Sequence, residues 1–210
     1  MMQPLTGTRV LDFSHVIAGP MATLYLAQLG AEVTKIEKPG GGDVMRGTPR
    51  GAASFAAFNA GKTCVEIDLK SAPGREHALT LASTCDVLVD NFRPGVLQRA
   101  GLGYAEVSAR TPPLIYCAIP GSGTAPPPWK SRGAYDHVVQ AATGMAMLAG
   151  LPGDPPIKTG FPVIDVMTGV LAAFAVTAAL RERERTGRGS YLDVSMWASA
   201  LQLMYPFTVE

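Results

Sequence analysis

Apolar and polar positions along this chain alternate between two kinds of block. Short runs rich in Val, Ile and Leu fall at residues 9–13, 32–37, 63–69, 86–91, 114–119 and 191–194. Runs of that length and composition, bounded by Gly, Pro, Asn and Asp, read as strands. Helices are expected between them, over residues 21–29, 73–84, 94–100 and 135–148, and another begins at residue 195. In the first of these apolar residues recur at helical spacing, and Gly30 ends it. Pro94 suits the first turn of a later helix. The opening strand, loop, helix and second strand span about 30 residues, which predicts a parallel crossover. The whole series predicts an α/β fold: an open, mostly parallel, Rossmann-like sheet with helices on both faces.

The same pattern divides the chain into three stretches. Residues 1–120 carry the strand–helix alternation of a Rossmann-like large domain. Residues 121–162 are an irregular connection around the helix at 135–148. Gly121, Gly123, Pro126, Pro127, Pro128 and Gly133 leave no room for regular structure there. Residues 163–210 hold an apolar helix, a strand and the start of a long helix.

Asp165 is the one charged position between Lys158 and Arg181, and an Ala-rich apolar run follows it over residues 170–180. Asp is a preferred helix N-cap, because its carboxylate accepts hydrogen bonds from the free N–H groups of the first turn. Asp165 is therefore expected to cap this helix. The same place also suits a nucleophile. The helix dipole would hold the carboxylate ionised, and the N–H donors would flank an oxyanion formed by its attack. The residue pattern leaves both roles open. The apolar run, about 15 residues, is shorter than a membrane span and reads as a buried core helix.

Polar residues also gather at the ends of the predicted strands. His15 follows the first strand, Lys38 the second, Lys70 the third, and Asn91, Phe92 and Arg93 the fourth. On a parallel sheet these positions share the carboxyl rim, where open α/β sheets bind ligands. The set suits an extended anionic ligand with phosphates and a base, although each member alone also reads as a solvated charge. Gly40, Gly41 and Gly42 read as a turn, since neither a GxGxxG nor a GxxxxGK[ST] motif is present.

Composition narrows the classes. With 47% hydrophobic and 17% charged residues, the chain has material for a sizeable core. A net charge of +1 gives no electrostatic case for nucleic acid or an anionic membrane. The first residues lack a basic and an apolar region, so no signal peptide is expected. Cys64, Cys85 and Cys117 each lie in or beside an apolar segment and read as buried free thiols, which points to a reducing cytoplasm. No CxxC, HExxH or GxSxG motif occurs, and His15, His77 and His137 lie far apart, so no metal is expected.

Taken in order, these residues resemble the class III CoA-transferase family, the CaiB–BaiF and formyl-CoA transferase group. The resemblance rests on Leu11-Asp12-Phe13-Ser14-His15, Gly30-Ala31-Glu32-Val33, Glu37-Lys38-Pro39 and Gly42-Asp43. It continues through Asn59-Ala60-Gly61-Lys62, Asp68-Leu69-Lys70, Asn91-Phe92-Arg93-Pro94-Gly95, Tyr135-Asp136 and Thr186-Gly187-Arg188-Gly189. It covers nearly the whole chain and corresponds to the family's N-terminal, large-domain half.

The resemblance implies a CoA transferase that moves CoA from an acyl-CoA to a carboxylic acid. Asp165 would be the nucleophile and would carry CoA as an aspartyl thioester. His15, Ala18, Lys38, Lys70, Asn91, Phe92 and Arg99 match positions that contact CoA in relatives, and Tyr135 is assigned to the same binding set. Coenzyme A would enter as co-substrate, without a metal. Two alternatives stand beside it: a 2-methylacyl-CoA racemase of the same fold, or, from a different class and because the chain is about half the family's length, an inactive CoA-binding fragment or partner subunit. Racemases of this family carry a His in a Gly-His-Asp context where this chain has Ala134-Tyr135-Asp136. Tyr is a poor proton shuttle at neutral pH, and His137 is expected to point elsewhere. Val16-Ile17 replaces a more polar pair of the formyl-CoA transferases, which argues against oxalate, and residues 124–129 depart from the family's Gly-Pro turn. Full family members are longer and form interlocked dimers. A homodimer or a complementing second chain is therefore expected, with this chain part of a longer polypeptide.

Overall fold

In a computed structural model, residues 2–49, 51–123, 134–151 and 153–205 are described. Six strands form one sheet: β1 (Arg9–Asp12), β2 (Glu32–Glu37), β3 (Thr63–Glu66), β4 (Val87–Asp90), β5 (Ile115–Ala118) and β6 (Ser190–Asp193). Their order is β3-β2-β1-β4-β5-β6, and every neighbouring pair is parallel. The expected α/β sheet is thus present, and it is wholly parallel. The strand order reverses between β1 and β4, which opens a crevice at their carboxyl ends. β6, from the last of the three stretches, completes the sheet begun by the first.

Both faces of the central strands are covered, which is why they read as nearly continuous apolar runs. Val10, Val87, Val89 and Ile115 pack on one side with Ala18, Ala22, Ala172 and Val176. Leu11, Leu88 and Tyr116 pack on the other with Ala78, Leu97 and Val107. The helices are α1 (Ala18–Gln28), α2 (Gly51–Phe58), α3 (Ala72–Ala82), α4 (Val96–Arg99), α5 (Tyr104–Arg110), α6 (Asp136–Ala142), α7 (Val163–Thr186) and α8 (Met196–Leu203).

Several expectations change. The helix expected over residues 135–148 stops at Ala142. Gly144 then turns left-handed, with φ of 84°, and a 3-10 turn, Met145–Met147, follows. α2 and α5 were not legible: each is short, and few of its residues are buried. The irregular residues 124–133, including the departure at 124–129, lie outside the described residues. Of the three cysteines, all free, only Cys117 is buried; Cys64 sits exposed on the edge strand β3, and Cys85 is intermediate.

α7 is longer than its apolar run, at 24 residues, because it continues through the charged turn at 181–186. Arg181–Glu184 and Arg185–Glu182 pair on its exposed end, and Gly187 closes it with φ of 71°. Among the described residues α7 is the one helix long and apolar enough to cross a membrane, by length and composition. In this fold one face of it is covered by α1. Gly169 sets that approach: a Cβ there would lie 2.6 Å from Met21 Cβ, 3.0 Å from the Ala18 carbonyl oxygen and 3.2 Å from Ala22 N. Gly169→Ala would gain about 1 kcal/mol of helix propensity. Overpacking against a backbone that cannot step aside costs about 1–3 kcal/mol and should win. The expected result is a lower urea midpoint; an unchanged or raised midpoint would show that the two helices separate freely.

Candidate active site

The site starts from a buried polar network under the loop that follows β1. The side chains of Asp12 and Lys62 are fully buried, with Oδ2 and Nζ 3.1 Å apart. Asp12 also accepts from Ser14 N at 2.8 Å and Thr23 Oγ1 at 2.6 Å. Burial alone would raise the Asp12 carboxyl, but Lys62, Lys35 and the hydrogen bonds from the Ser14 and Thr23 hydroxyls outweigh it and hold it below its ordinary range. Lys35 of β2, also fully buried, donates to the Ser14 carbonyl and pairs with Asp43 at 3.2 Å.

Asp43 in turn accepts the Val16 N–H at 3.2 Å on both carboxylate oxygens. Asn91 brackets the residue before: its Oδ1 accepts His15 N at 2.9 Å, and its Nδ2 donates to the His15 carbonyl at 2.7 Å. Val16 is held at φ of 68°, the one non-glycine residue with positive φ among those described. A β-branched residue there costs about 1–3 kcal/mol and persists only where its surroundings over-determine it. The lysine, the aspartate and the asparagine supply that determination. α1 then starts at Ala18 with no side-chain cap, and Ala18 and Asp165 face the same cavity, where the Ala18 N–H favours the ionised Asp165 carboxylate.

Asp165 does not cap α7. The cap position is Pro162, without a side-chain hydrogen bond, and Asp165 lies inside the first turn. The capping carboxylate belongs to Asp136, at the start of α6. Its Oδ2 accepts Ile164 N at 2.7 Å and Asp165 N at 2.9 Å. Its Oδ1 accepts from Gln140 Nε2, and Gln140 reaches on to Thr159, accepting Thr159 N at 2.9 Å. The expectation that the helix dipole would hold Asp165 ionised is likewise overturned. Burial, first, and the neighbouring negative charge of Asp136, second, push its carboxyl up to about 7, against the hydrogen bond from Ala18. The donors expected to serve Asp165 are already taken by Asp136.

Asp165 opens into a cavity of about 250 Å³. His15, Ala18, Asn91, Phe92 and Tyr135 line it, together with Val16, Ile17 and Arg93. A second cavity, of about 140 Å³, contains Lys38 and shares His15, Val44 and Phe92 with the first. The two form one groove along the carboxyl rim. The His15 ring meets Phe92 edge to face at 4.7 Å, and burial lowers its pKa. Lys70 and Arg99 stand apart, exposed on the loop after β3 and in the last turn of α4, and line neither cavity. Tyr135 is 60% exposed, and the His137 ring lies parallel to it at 6.1 Å rather than pointing away. Among the described residues no group of three or more His, Cys, Asp or Glu is placed to hold a metal ion.

Sequence reasoning missed Asp136, Lys35, Asp43 and the Asp12–Lys62 pair. Lys35, in the middle of β2 between Thr34 and Ile36, was a usable signal, because an ammonium inside a sheet strand needs a partner. Asp136 falls within a segment that carries the resemblance, but nothing local to it pointed to a cap on another helix.

A family model described as CoA-transferase family III matches residues 5–210. The succinyl-CoA:glutarate CoA-transferase of Mus musculus is 38% identical over 203 residues, 94% of this chain and 46% of the relative. The formyl-CoA:oxalate CoA-transferase of Rhodopseudomonas palustris (strain BisA53) is 38% identical over 208 residues, 97% of this chain and 48% of the relative. The chain thus spans about half the length of the curated relatives it matches. The crystal structure of a CaiB/BaiF family protein from Brucella suis superposes with a TM-score of 0.90 at 34% identity, over 98% of this chain and 57% of that one. Since the match runs from Leu5 to the last residue and the solved fold is shared, this chain is a member of CoA-transferase family III.

Proposed function

We propose that the polypeptide carrying this chain transfers CoA from an acyl-CoA to a carboxylic acid, with Asp165 as the covalent carrier. The observation that carries the reading is the place of Asp165: half-buried on the cavity wall, facing the Ala18 N–H, with its carboxyl raised to about 7. A carboxylate of raised basicity is a stronger nucleophile once ionised. The groove through His15, Phe92 and Lys38 supports an extended thioester substrate, with an aromatic ring for a base and a cation for phosphate. Lys70 and Arg99 would serve more distant parts of the same substrate, and Tyr135 would border the acyl group.

The Asp165 carboxylate attacks the thioester carbonyl, the C–S bond breaks, and a mixed anhydride and CoA thiolate result. The thiolate attacks the Asp165 carbonyl, releases the donor's carboxylate and leaves an aspartyl-CoA thioester. The acceptor carboxylate attacks that thioester, forming a second mixed anhydride and freeing the thiolate again. Thiolate attack on the acceptor carbonyl then gives the new acyl-CoA and restores Asp165. The Ala18 N–H is placed to stabilise charge developing on the Asp165 acyl oxygen. Val16, Ile17, Ile119 and Met196 on the wall suit an acyl group with an apolar chain.

α-Proton transfer is the weaker reading, because position 135 holds an exposed tyrosine and His137 lies outside the cavity lining. The test is chemical trapping. Incubation with acyl-CoA and hydroxylamine, followed by digestion and mass spectrometry, is expected to give an Asp165 hydroxamate. An adduct confined to Asp136 or Asp154, or none in an active preparation, would refute the assignment.

A further inference from the structure

The first turn of α7 has four N–H groups to satisfy, and none is left for the Asp165 carboxylate. Val163 N donates to the Phe161 carbonyl at 2.9 Å and Val166 N to the Pro162 carbonyl at 3.1 Å. Ile164 N and Asp165 N both go to Asp136 Oδ2. Asp136 is 7% exposed and comes from a different helix, 29 residues upstream of Asp165. It is fixed there by Gln140, which is itself tied to Thr159 by two hydrogen bonds, one through each atom of its amide. A cap built to stabilise a carboxylate at position 165 would leave the donors open. This arrangement closes them with another carboxylate and sets that charge beside Asp165.

We propose that Asp136 is a positioning residue for Asp165, whose single carboxylate caps α7 and, by standing beside Asp165 as a like charge, makes the attacking carboxylate more reactive. The inference rests on reading Asp165 as the nucleophile. Nucleophilicity follows basicity, so withholding the helix donors and adding a like charge both favour attack once the carboxylate is ionised. The other titratable and charged groups that share the cavity wall are His15 from the loop after β1, Arg93 from the loop after β4, and Tyr135 just ahead of α6. None of them forms an ion pair with Asp165 among the described residues. The raised carboxyl of Asp165, near 7, agrees with this balance.

The test measures Asp165 directly and under turnover. Carbon-13 NMR of labelled aspartate, assigned through Asp165→Asn, should show the Asp165 carboxyl titrating near pH 7 in the wild type; a midpoint in the ordinary carboxylate range would overturn the inference. Asp136→Asn keeps an oxygen that can accept the Ile164 and Asp165 N–H groups and removes the charge. Its midpoint is expected about one pH unit lower or more. The acid limb of kcat should move down with it, and kcat at pH 9 should fall while KM for acyl-CoA holds. An Asp136→Asn protein whose midpoint stays at the wild-type value would also overturn the inference, leaving Asp136 a structural cap. Asp136→Ala removes cap and charge together and reopens the Ile164 and Asp165 N–H groups; lowered thermal stability and a midpoint below that of Asp136→Asn are the expected result, and a midpoint at the wild-type value would overturn the inference. Hydroxylamine trapping on the wild type reports separately: failure to label Asp165 refutes the nucleophile reading, whereas labelled Asp165 with an unmoved Asp136→Asn midpoint refutes only the role of Asp136.

Discussion

Asp165→Asn is expected to abolish CoA transfer, by about 10⁴-fold or more in kcat, because an amide cannot form the anhydride or the thioester. The same substitution is expected to stabilise the fold. The Asp165 carboxyl is raised to about 7 from an ordinary value of 3.8. Folding therefore favours its protonated form. At pH 3 it is protonated in both states and costs nothing. Between about 4 and 7 the unfolded chain ionises first, and stability falls as pH rises. Above 7 the full penalty applies. Asn keeps an acceptor for the Ala18 N–H without the charge, so at pH 8 it should gain on the order of 2 kcal/mol, after allowance for partial exposure. At pH 3 it should gain nothing. Urea melts at the two pH values, beside turnover assays, check both halves. Retained activity would exclude Asp165 as the carrier, and equal gains at both pH values would place its carboxyl in water.

Lys62→Met is expected to be the most destabilising single change in the network beneath the site. The Lys62 ammonium contacts Asp12, the Pro20 carbonyl at 2.9 Å and Asn59 Oδ1 at 2.9 Å, all out of solvent. Without it Asp12 becomes a buried carboxylate that has lost its closest cation, and breaking such a pair costs about 3–5 kcal/mol. Replacing both partners, Asp12→Leu with Lys62→Met, should recover part of that loss, because the unpaired charge is gone. The pH dependence has a definite sign. The Asp12 carboxyl is held below its ordinary range, so its contribution is present above the unfolded value and disappears as pH falls through the folded one. The wild type should therefore lose stability toward strongly acid pH more steeply than Lys62→Met does. Acid denaturation curves of the two proteins check this; parallel curves would show that the pair contributes nothing net. Since Asp12 also fixes Ser14, acyl-CoA binding should weaken along with stability.

Much of the fold is legible along the chain because its causes are local. The apolar runs at 87–89 and 114–119 mark β4 and β5, since a parallel strand covered on both faces is apolar along most of its length. Helices between successive strands force parallel pairing, so the rim that carries His15, Lys38 and Asn91 also followed from order alone. The apolar helix after Asp165 was visible too, and the family resemblance singled out Asp165. Tertiary structure decided how that residue is held. Spacing ties a cap to its own helix, but here the cap comes from Asp136 on another one. The turn at Val16 depends on Asp43 and Asn91, which lie 27 residues from Val16 and 76 from His15 in the chain. No local pattern predicts a left-handed valine, because its cost is met by partners that only folding brings near. Lys35 sits among other charged residues in β2, and its burial against Asp43 could not be read before β2 met the following loop. The ionisation of Asp165 is set by burial and by a neighbouring charge, and both exist only once α1, α6 and α7 have packed. Periodicity and propensity act over a few residues, whereas desolvation and Coulomb terms depend on distance in space, which the order of residues does not contain.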